Sequence, residues 1–271
     1  MKKKNILLIG YGAIGLTVKK ALDASSTAGI SHVLVRPERA QHAQDLVGDD
    51  CVLVTDLQAL LATQPDIDVV AECAGHSALA QYGPTLLEAG IDVLSLSSGA
   101  LADNQLQKEL AQAAEKGGVQ LRLLSGAIGG LDVLSAGSVG GLDQVEYRGI
   151  KPVQGWKGSA AENAVDLDNL QESTKHYEGS AREAASRYPK NANVAASVAL
   201  VSAGLDETHV ALIANPAGTA NVHEIEASGQ FGSIFVRVEG RALPDNPRSS
   251  ALAAYSMIRA LQNRYSPLVV G

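Results

Sequence analysis

Three glycines near the start of the sequence have a spacing that lets a backbone loop approach a phosphate group. Residues 10–15, GYGAIG, fit G-x-G-x-x-G and lie between an apolar run that predicts a strand and an amphipathic stretch that predicts a helix. Gly10 would permit a tight turn, Gly12 would let the backbone reach a pyrophosphate, and Gly15 would allow close packing of helix on strand. An isolated glycine triplet could be a flexible turn, but this context favours a dinucleotide-binding loop.

The side chain about 20 residues after the third glycine helps to select the dinucleotide. NAD enzymes usually carry Asp or Glu there as an acceptor for a ribose hydroxyl, whereas this chain carries Arg36, with Arg39 close behind it. Two guanidinium groups can bind a 2′-phosphate in bidentate fashion. The sequence therefore predicts that NADP is accepted, with NAD possible through backbone contacts. The alternative is that both arginines are solvated residues at a helix start.

One histidine in the second half of the chain is a candidate for acid–base chemistry. Hydride transfer needs no protein nucleophile, but it needs a group that manages a proton. In residues 221–227, NVHEIEA, strand periodicity places His223 on the same face as Ile225 and Ala227. Such a histidine is either a hydrogen-bonded core residue or a base with a near-neutral pKa, and the residues alone leave both roles open.

Cys73, Ala74 and His76 follow the fourth predicted strand, at the sheet edge where a nicotinamide ribose should pass. Cys73 and Ala74 are predicted to contact the cofactor, although Cys73 could simply pack and His76 could cap the next helix. The six histidines show no i, i+4 pair, and Cys51 and Cys73 have no close thiol partner. No metal site is therefore expected.

The elements that must position these residues change in character after residue 125. Before it, short apolar runs alternate with amphipathic stretches, which is typical of a parallel sheet with crossover helices. The predicted strands are residues 6–9, 32–35, 51–54, 69–72, 93–96 and 119–124. After it, apolar and polar residues alternate, which predicts a sheet covered on one face and hence antiparallel strands. These strands are predicted at residues 145–151, 209–214, 221–227 and 233–239, with a hairpin turn at 229–232.

The predicted fold is α/β, with an N-terminal Rossmann domain and a C-terminal α+β domain whose sheet is mostly antiparallel. The domains are predicted at residues 1–125 and 126–244, and a terminal helix within 245–271 is expected to pack back on the first domain. A helical region at 181–203, interrupted at Pro189, lies among the later strands. The terminal helix is predicted from Ser249 to Asn263, after a start at Asn246 and Pro247.

The composition excludes several classes of protein. The 271 residues are 46% hydrophobic and 19% charged, with a formal net charge of −7, which is typical of a globular protein of about two domains. No basic run extends beyond Lys2–Lys4, so neither nucleic acid nor an anionic membrane is an expected partner. No apolar stretch approaches the roughly 18 residues of a membrane helix, and the few cysteines suit the reducing cytoplasm.

Five segments together resemble one family over almost the full length of the chain. They are residues 10–15 (GYGAIG), 71–76 (AECAGH), 125–132 (SGAIGGLD), 188–195 (YPKNANVA) and 221–225 (NVHEI). In this order they resemble the L-aspartate dehydrogenase family. A departure occurs at Arg248, Ser249 and Ser250, where a segment like Lys-Thr-Ser is expected, which puts a substrate role there in doubt.

The resemblance implies an activity and further site residues. The family oxidises L-aspartate at Cα to iminoaspartate with NAD or NADP, as the first step of a route to NAD, although the imine can also hydrolyse. It implies that His223 is the active-site residue, that Ala127 and Asn193 contact the cofactor, and that the protein is a homodimer. Two substrate carboxylates call for cations. Four candidates are available, and the sequence does not choose among them: Lys151, Lys157, Lys190 and Arg241.

Three other functions require features that differ from those of this sequence. A semialdehyde or glyceraldehyde-phosphate dehydrogenase needs a nucleophilic cysteine after the strand that ends at Leu124, but residues 125–127 (SGA) contain no thiol. A reductase resembling dihydrodipicolinate reductase should show paired histidines with a nearby lysine, and the region of His223 has one histidine. A non-enzymatic redox sensor would need a partner surface, such as a basic helix that reads DNA.

Overall fold

Two compact units make up the chain. The computed structural model describes residues 4–25, 27–48, 50–189, 191–244 and 246–270. The first unit comprises Met1–Leu124 and Ala253–Gly271, and the second comprises Ser125–Leu252.

The first unit contains a six-stranded parallel sheet in the order β3-β2-β1-β4-β5-β6. Its strands are β1 (Lys4–Ile9), β2 (Ala28–Leu34), β3 (Val52–Val54), β4 (Val69–Glu72), β5 (Val93–Ser95) and β6 (Leu121–Leu123). Its helices are α1 (Ala13–Asp23), α2 (Ala40–Val47), α3 (Leu57–Ala62), α4 (His76–Glu88) and α5 (Asn104–Gly117). The central strands are continuously apolar because helices cover both faces of a parallel sheet, and this is the arrangement that the sequence predicted.

The second unit is built on a five-stranded sheet in the order β11-β10-β7-β9-β8. Its strands are β7 (Leu142–Pro152), β8 (Thr174–Ser180), β9 (His209–Asn215), β10 (Asn221–Gly229) and β11 (Gly232–Gly240). A small antiparallel pair follows, β12 (Ala242–Leu243) with β13 (Asn246–Ser250). Its helices are α6 (Leu131–Gly140), α7 (Ala181–Arg187) and α8 (Asn193–Leu200). The last helix, α9 (Ala251–Tyr265), begins at the end of this unit and belongs from Ala253 onward to the first unit.

The second sheet is mixed, so the predicted antiparallel arrangement is met only in part. β10 is antiparallel to both β7 and β11, and β8 is antiparallel to β9, but β7 and β9 run parallel. The parallel pair arises because α7 and α8 lie in a crossover between β7 and β9. β8 was not predicted, since an edge strand with the charged residues Lys175 and Glu178 lacks a clear apolar alternation.

The predicted hairpin turn is present, but the last helix begins later than predicted. The hairpin at residues 229–232 joins β10 to β11, with Gly232 at a φ of +108° that favours glycine. The helix start at Asn246 and Pro247 is wrong, because these residues begin β13 and α9 begins at Ala251. Met257 and Leu261 of α9 are fully buried in the core of the first unit. Among the described residues, no helix is long and apolar enough to cross a membrane.

Candidate functional site

The glycine loop joins β1 to α1 and has little room for side chains at two of its three positions. Gly10 has a φ of +89°, and a Cβ there would lie 2.7 Å from the Cβ of Ala74. A Cβ on Gly15 would lie 2.2 Å from the carbonyl oxygen of Gly10. At Gly12, in contrast, an added Cβ would meet no atom within 4 Å. The loop is therefore tight on its protein side and open at Gly12.

A cavity of about 410 Å³ in the first unit brings several of the predicted cofactor residues together. Its lining includes Gly10, Gly12, Arg36, Cys73 and Ala74. The remaining predicted residues of the loop, Ala13, Ile14 and Gly15, form the first turn of α1. His76 is the first residue of α4, after Gly75 at the cap position.

Arg36 lies at the solvent edge of this cavity. Its side chain is 66% exposed, and its Nε is 3.3 Å from Oε1 of Glu38. Arg39 and His42 line the same cavity. Because the ion pair with Glu38 is solvent-exposed, it holds the guanidinium group only weakly, so Arg36 is free to reorient towards an anion.

Glu72, which the sequence analysis did not single out, organises the turn beside the loop. Its buried carboxylate accepts hydrogen bonds from the backbone N–H groups of Ala74 and Gly75, both at 2.7 Å, and from the hydroxyl of Ser95 at 2.6 Å. The turn that presses Ala74 against Gly10 is thus fixed by one side chain. A buried acidic residue at the end of a predicted strand was the available signal.

His223 lies on the covered face of the second sheet, as its period-2 pattern predicted. It is 5% exposed, and its register partner on β7 is Gly149. The hydroxyl of Tyr147 lies 2.7 Å from Nδ1 of His223. A Cβ on Gly149 would lie only 2.9 Å from that hydroxyl, so the glycine provides the room in which Tyr147 reaches the histidine.

The buried hydroxyl of Tyr147 determines which nitrogen of His223 carries the proton. Within the described ranges, Nδ1 is the hydrogen-bond partner of this hydroxyl, and no second partner is present. If Nδ1 were the donor, the hydroxyl hydrogen would be buried without an acceptor, at a cost of about 1–3 kcal/mol. Tyr147 therefore donates to Nδ1. The neutral imidazole then carries its proton on Nε2, and this atom is not among the described side-chain atoms that are buried without a hydrogen-bond partner.

The pKa of His223 lies below the near-neutral range of a free imidazole. Burial, and then the positive charge of Lys151, lower the pKa of His223 to about 3. Its imidazole is consequently neutral at physiological pH. Burial also raises the pKa of Tyr147, so this phenol keeps its proton.

Of the candidate cations that the structure describes, Lys151 is the one buried beside His223. It lies on β7, is 9% exposed, and donates from Nζ to Oδ1 of Asn191 at 2.7 Å. The same nitrogen lies 5.0 Å from the centroid of the Trp156 ring. Burial lowers the pKa of Lys151 to about 8, and no described carboxylate pairs with it. Burying a cation without a carboxylate partner is costly, so the charged form of Lys151 lowers the stability of the fold.

The other candidate cations that the structure describes are more exposed than Lys151. Lys157 is half-exposed and paired with Asp168. Arg241 is exposed, and Lys190 lies outside the described residues, as does the side chain of Arg248. Ala127 is buried in the second unit, and Asn193 begins α8. No cluster of metal-binding side chains occurs within the described ranges.

A second buried histidine was not predicted. His176 of β8 packs against the edge of Trp156, with ring centroids 4.3 Å apart, and its Nδ1 is 3.2 Å from the hydroxyl of Tyr188. Trp156 in turn donates from Nε1 to the carbonyl of Ile213 at 3.0 Å. No local sequence pattern predicts this cluster, because its residues come from separate loops and strands.

Known proteins match both units of the chain. Residues 132–264 match the family model described as aspartate dehydrogenase, C-terminal, and residues 10–124 match that of the homoserine dehydrogenase NAD-binding domain. The L-aspartate dehydrogenase of Ruegeria pomeroyi is 48% identical, with 96% of this chain and 92% of the relative covered. The L-aspartate dehydrogenase of Pseudomonas aeruginosa is 43% identical, with 96% and 97% covered.

Solved structures of dehydrogenases are also similar to this chain. The crystal structure of aspartate dehydrogenase from Thermotoga maritima has a TM-score of 0.77 and 27% identity, with 99% of each chain covered. A homoserine dehydrogenase from Thiobacillus denitrificans has a TM-score of 0.62 at 15% identity, with 97% of this chain and 73% of that chain covered. The second likeness shows the fold alone.

Proposed function

The chain belongs to the L-aspartate dehydrogenase family of NAD(P)-dependent oxidoreductases, and from this premise we propose that it oxidises L-aspartate at Cα to iminoaspartate. The observation that carries the proposal is the buried pair of Tyr147 and His223 beside Lys151. This arrangement places the imidazole N–H of His223 close to the buried amine of Lys151, so that both can contact one amino-acid substrate. The reaction is one step of a route to the pyridine ring of NAD.

The glycine loop fits a dinucleotide phosphate. α1 begins after Gly12 with no capping side chain and no acidic residue in its first turn, so its first N–H groups are available to an anion. The space at Gly12 admits a phosphate oxygen close to the backbone. We assign the cofactor to Gly10, Gly12, Ala13, Ile14, Gly15, Arg36, Cys73 and Ala74, with Ala127 and Asn193 on the family resemblance. When bound, NAD(P) supplies the acceptor for the hydride from Cα.

On the substrate side, we assign His223 to direct contact with L-aspartate. The neutral imidazole donates from Nε2–H, and the acceptors that the substrate offers are carboxylate oxygens. A neutral donor orients the substrate without placing a second positive charge near the iminium product. The substrate ammonium must also lose a proton before hydride can leave, which requires an acceptor at the same site.

An absorbance assay tests the proposal. Wild-type protein should produce reduced nicotinamide from L-aspartate at mildly alkaline pH, with NAD and NADP supplied separately. His223→Ala should lose activity but keep its affinity for NADPH, whereas His209→Ala, at an exposed histidine of the same sheet, should resemble wild type. A folded protein that binds the cofactor but does not turn over aspartate would refute the substrate assignment.

Arg36 is proposed to select NADP through its 2′-phosphate. Removing a charge-assisted hydrogen bond costs about 1.5–3 kcal/mol. Arg36→Ala should therefore weaken NADP binding about tenfold or more, with NAD binding nearly unchanged. A ratio of the two affinities that stays constant in this variant would assign Arg36 to the solvated surface.

We also propose a homodimer that acts in the cytoplasm. The dimer is inferred from the family resemblance, and Cys51 and Cys73 are free thiols, as a reducing compartment allows. Sedimentation equilibrium tests the dimer, and a single monomeric species at assay concentration would contradict it.

A further inference from the structure

We propose that Lys151 accepts the proton of the substrate ammonium group, and that His223 orients the substrate as a hydrogen-bond donor instead of acting as the base. The inference rests on the proposed function, because both concern the same site. In the step, the lone pair of the Lys151 amine takes a proton from the ammonium group, which leaves a neutral amine on Cα. The nitrogen lone pair then forms the C=N bond as the hydrogen on Cα departs as hydride to the oxidised nicotinamide.

The geometry of His223 argues against its role as the base. Its Nδ1 is occupied by the hydroxyl of Tyr147 at 2.7 Å, and its proton therefore lies on Nε2. A proton-bearing nitrogen donates a hydrogen bond and cannot take up the proton of an ammonium group. An acceptor must come from another side chain on the covered face of the sheet.

Lys151 has the environment that such an acceptor needs. It is buried on the same face of β7 as Gly149, the register partner of His223. Asn191 holds Nζ at 2.7 Å through an amide oxygen, which accepts a hydrogen bond from the charged or the neutral amine. A carboxylate partner would instead stabilise the charged form, and the described residues supply none.

The other titratable groups around Lys151 keep their charge states near the working pH. Tyr147 on the same strand and Tyr188 after α7 have pKa values raised by burial. His176 of β8 and His223 of β10 have pKa values lowered by burial and by Lys151 itself, to about 4 and about 3. Lys151, with a pKa of about 8, is the described group of this cluster that changes charge at mildly alkaline pH.

Two substitutions at Lys151 separate a base from a charge that merely binds carboxylate. Arginine keeps the positive charge but stays protonated, so Lys151→Arg should fail as a base. We expect kcat to fall about 100-fold or more in both Lys151→Arg and Lys151→Met, measured with L-aspartate from about pH 6 to about pH 10. The ascending limb of kcat/KM near pH 8 should disappear in both variants.

The matched control is Lys175→Met, at an exposed lysine of β8 in the same sheet, which should keep the wild-type pH profile. Lys151→Ala provides an independent readout, because an added primary amine such as ethylamine should restore activity in proportion to its free-base concentration. NADPH binding checks that each variant retains a folded first unit.

Different results would overturn different statements. A Lys151→Arg variant with kcat within about fivefold of wild type and an unchanged alkaline limb would overturn the proton-acceptor role, as would Lys151→Ala without amine rescue. Inactivity of the wild-type protein towards aspartate, with intact NADPH binding, would instead overturn the proposed function together with this inference.

Discussion

Two buried tyrosine–histidine pairs in the second unit look alike and differ in one respect. In each, a tyrosine hydroxyl contacts Nδ1 of the histidine, at 2.7 Å for Tyr147 with His223 and 3.2 Å for Tyr188 with His176. Burial and the charge of Lys151 lower both histidine pKa values. However, Nε2 of His176 is buried without a hydrogen-bond partner, whereas Nε2 of His223 is not among the described side-chain atoms in that condition. Burial and a lowered pKa are therefore shared by both histidines, and the environment of the second nitrogen is what distinguishes them.

Replacing each histidine with alanine should give the largest contrast. His223→Ala removes the group that we propose contacts substrate, and we expect kcat to fall about 100- to 10,000-fold. His176→Ala should reduce kcat less than tenfold but lower the free energy of unfolding by about 2 kcal/mol, since it leaves the Tyr188 hydroxyl without its partner. Steady-state kinetics and urea unfolding measure the two effects. Equal losses of activity would mean that the pairs are functionally equivalent.

Acid should destabilise the protein through both histidines. Their pKa values are lower in the folded state than the value of about 6.5 expected on unfolding, so the unfolded state binds more protons below that pH. The stability is present above pH 6.5 and is lost as the pH falls. From pH 7 to pH 5 each histidine should account for about 2 kcal/mol. His32, whose pKa burial also lowers, acts in the same direction.

Urea unfolding of His176→Leu across this range isolates one contribution. The variant should lose about 2 kcal/mol less than wild type between the two pH values, because leucine takes up no proton. A pH dependence identical to that of wild type would show that His176 is not buried in its neutral form.

These contrasts separate what the sequence could predict from what it could not. Local patterns of a few residues predict the glycine loop, the parallel sheet and the face of β10 on which His223 lies. Tyr147 and Lys151 could not be assigned to His223, because the register of β7 against β10 joins residues 76 positions apart. His176 lies on β8, which is a polar edge strand. Tyr188, the hydrogen-bond partner of His176, follows α7 in a separate loop.

A pair of glycine substitutions compares two tyrosines that each lie over a glycine two residues further along the strand. A methyl group at Gly149 would lie 2.9 Å from the hydroxyl of Tyr147, and one at Gly179 would lie 2.6 Å from that of Tyr177. Both alanine variants should lose about 1–3 kcal/mol of stability through overpacking. Only Gly149→Ala should also lower kcat, by about tenfold, since it displaces the hydroxyl from His223. A similar loss of kcat in Gly179→Ala would remove the distinction.

Removing the tyrosine hydroxyls should have the smallest effect. Tyr147→Phe and Tyr188→Phe should each cost about 1 kcal/mol of stability. In wild type, the nitrogen-15 NMR shifts of His223 should report a proton on Nε2, and this preference should weaken in Tyr147→Phe. A wild-type spectrum with the proton on Nδ1 would contradict the hydrogen-bond direction and restore His223 as a base.

The return of α9 to the first unit has a consequence for how the protein is made. Met257 and Leu261 complete a core whose other residues lie in the first 124 positions of the chain, with all of the second unit encoded between them. During translation the first unit therefore cannot complete its core until nearly the whole polypeptide has left the ribosome. The second unit, which is continuous in sequence, has all its residues available earlier. We expect the nascent chain to acquire protease resistance in its middle portion before its beginning.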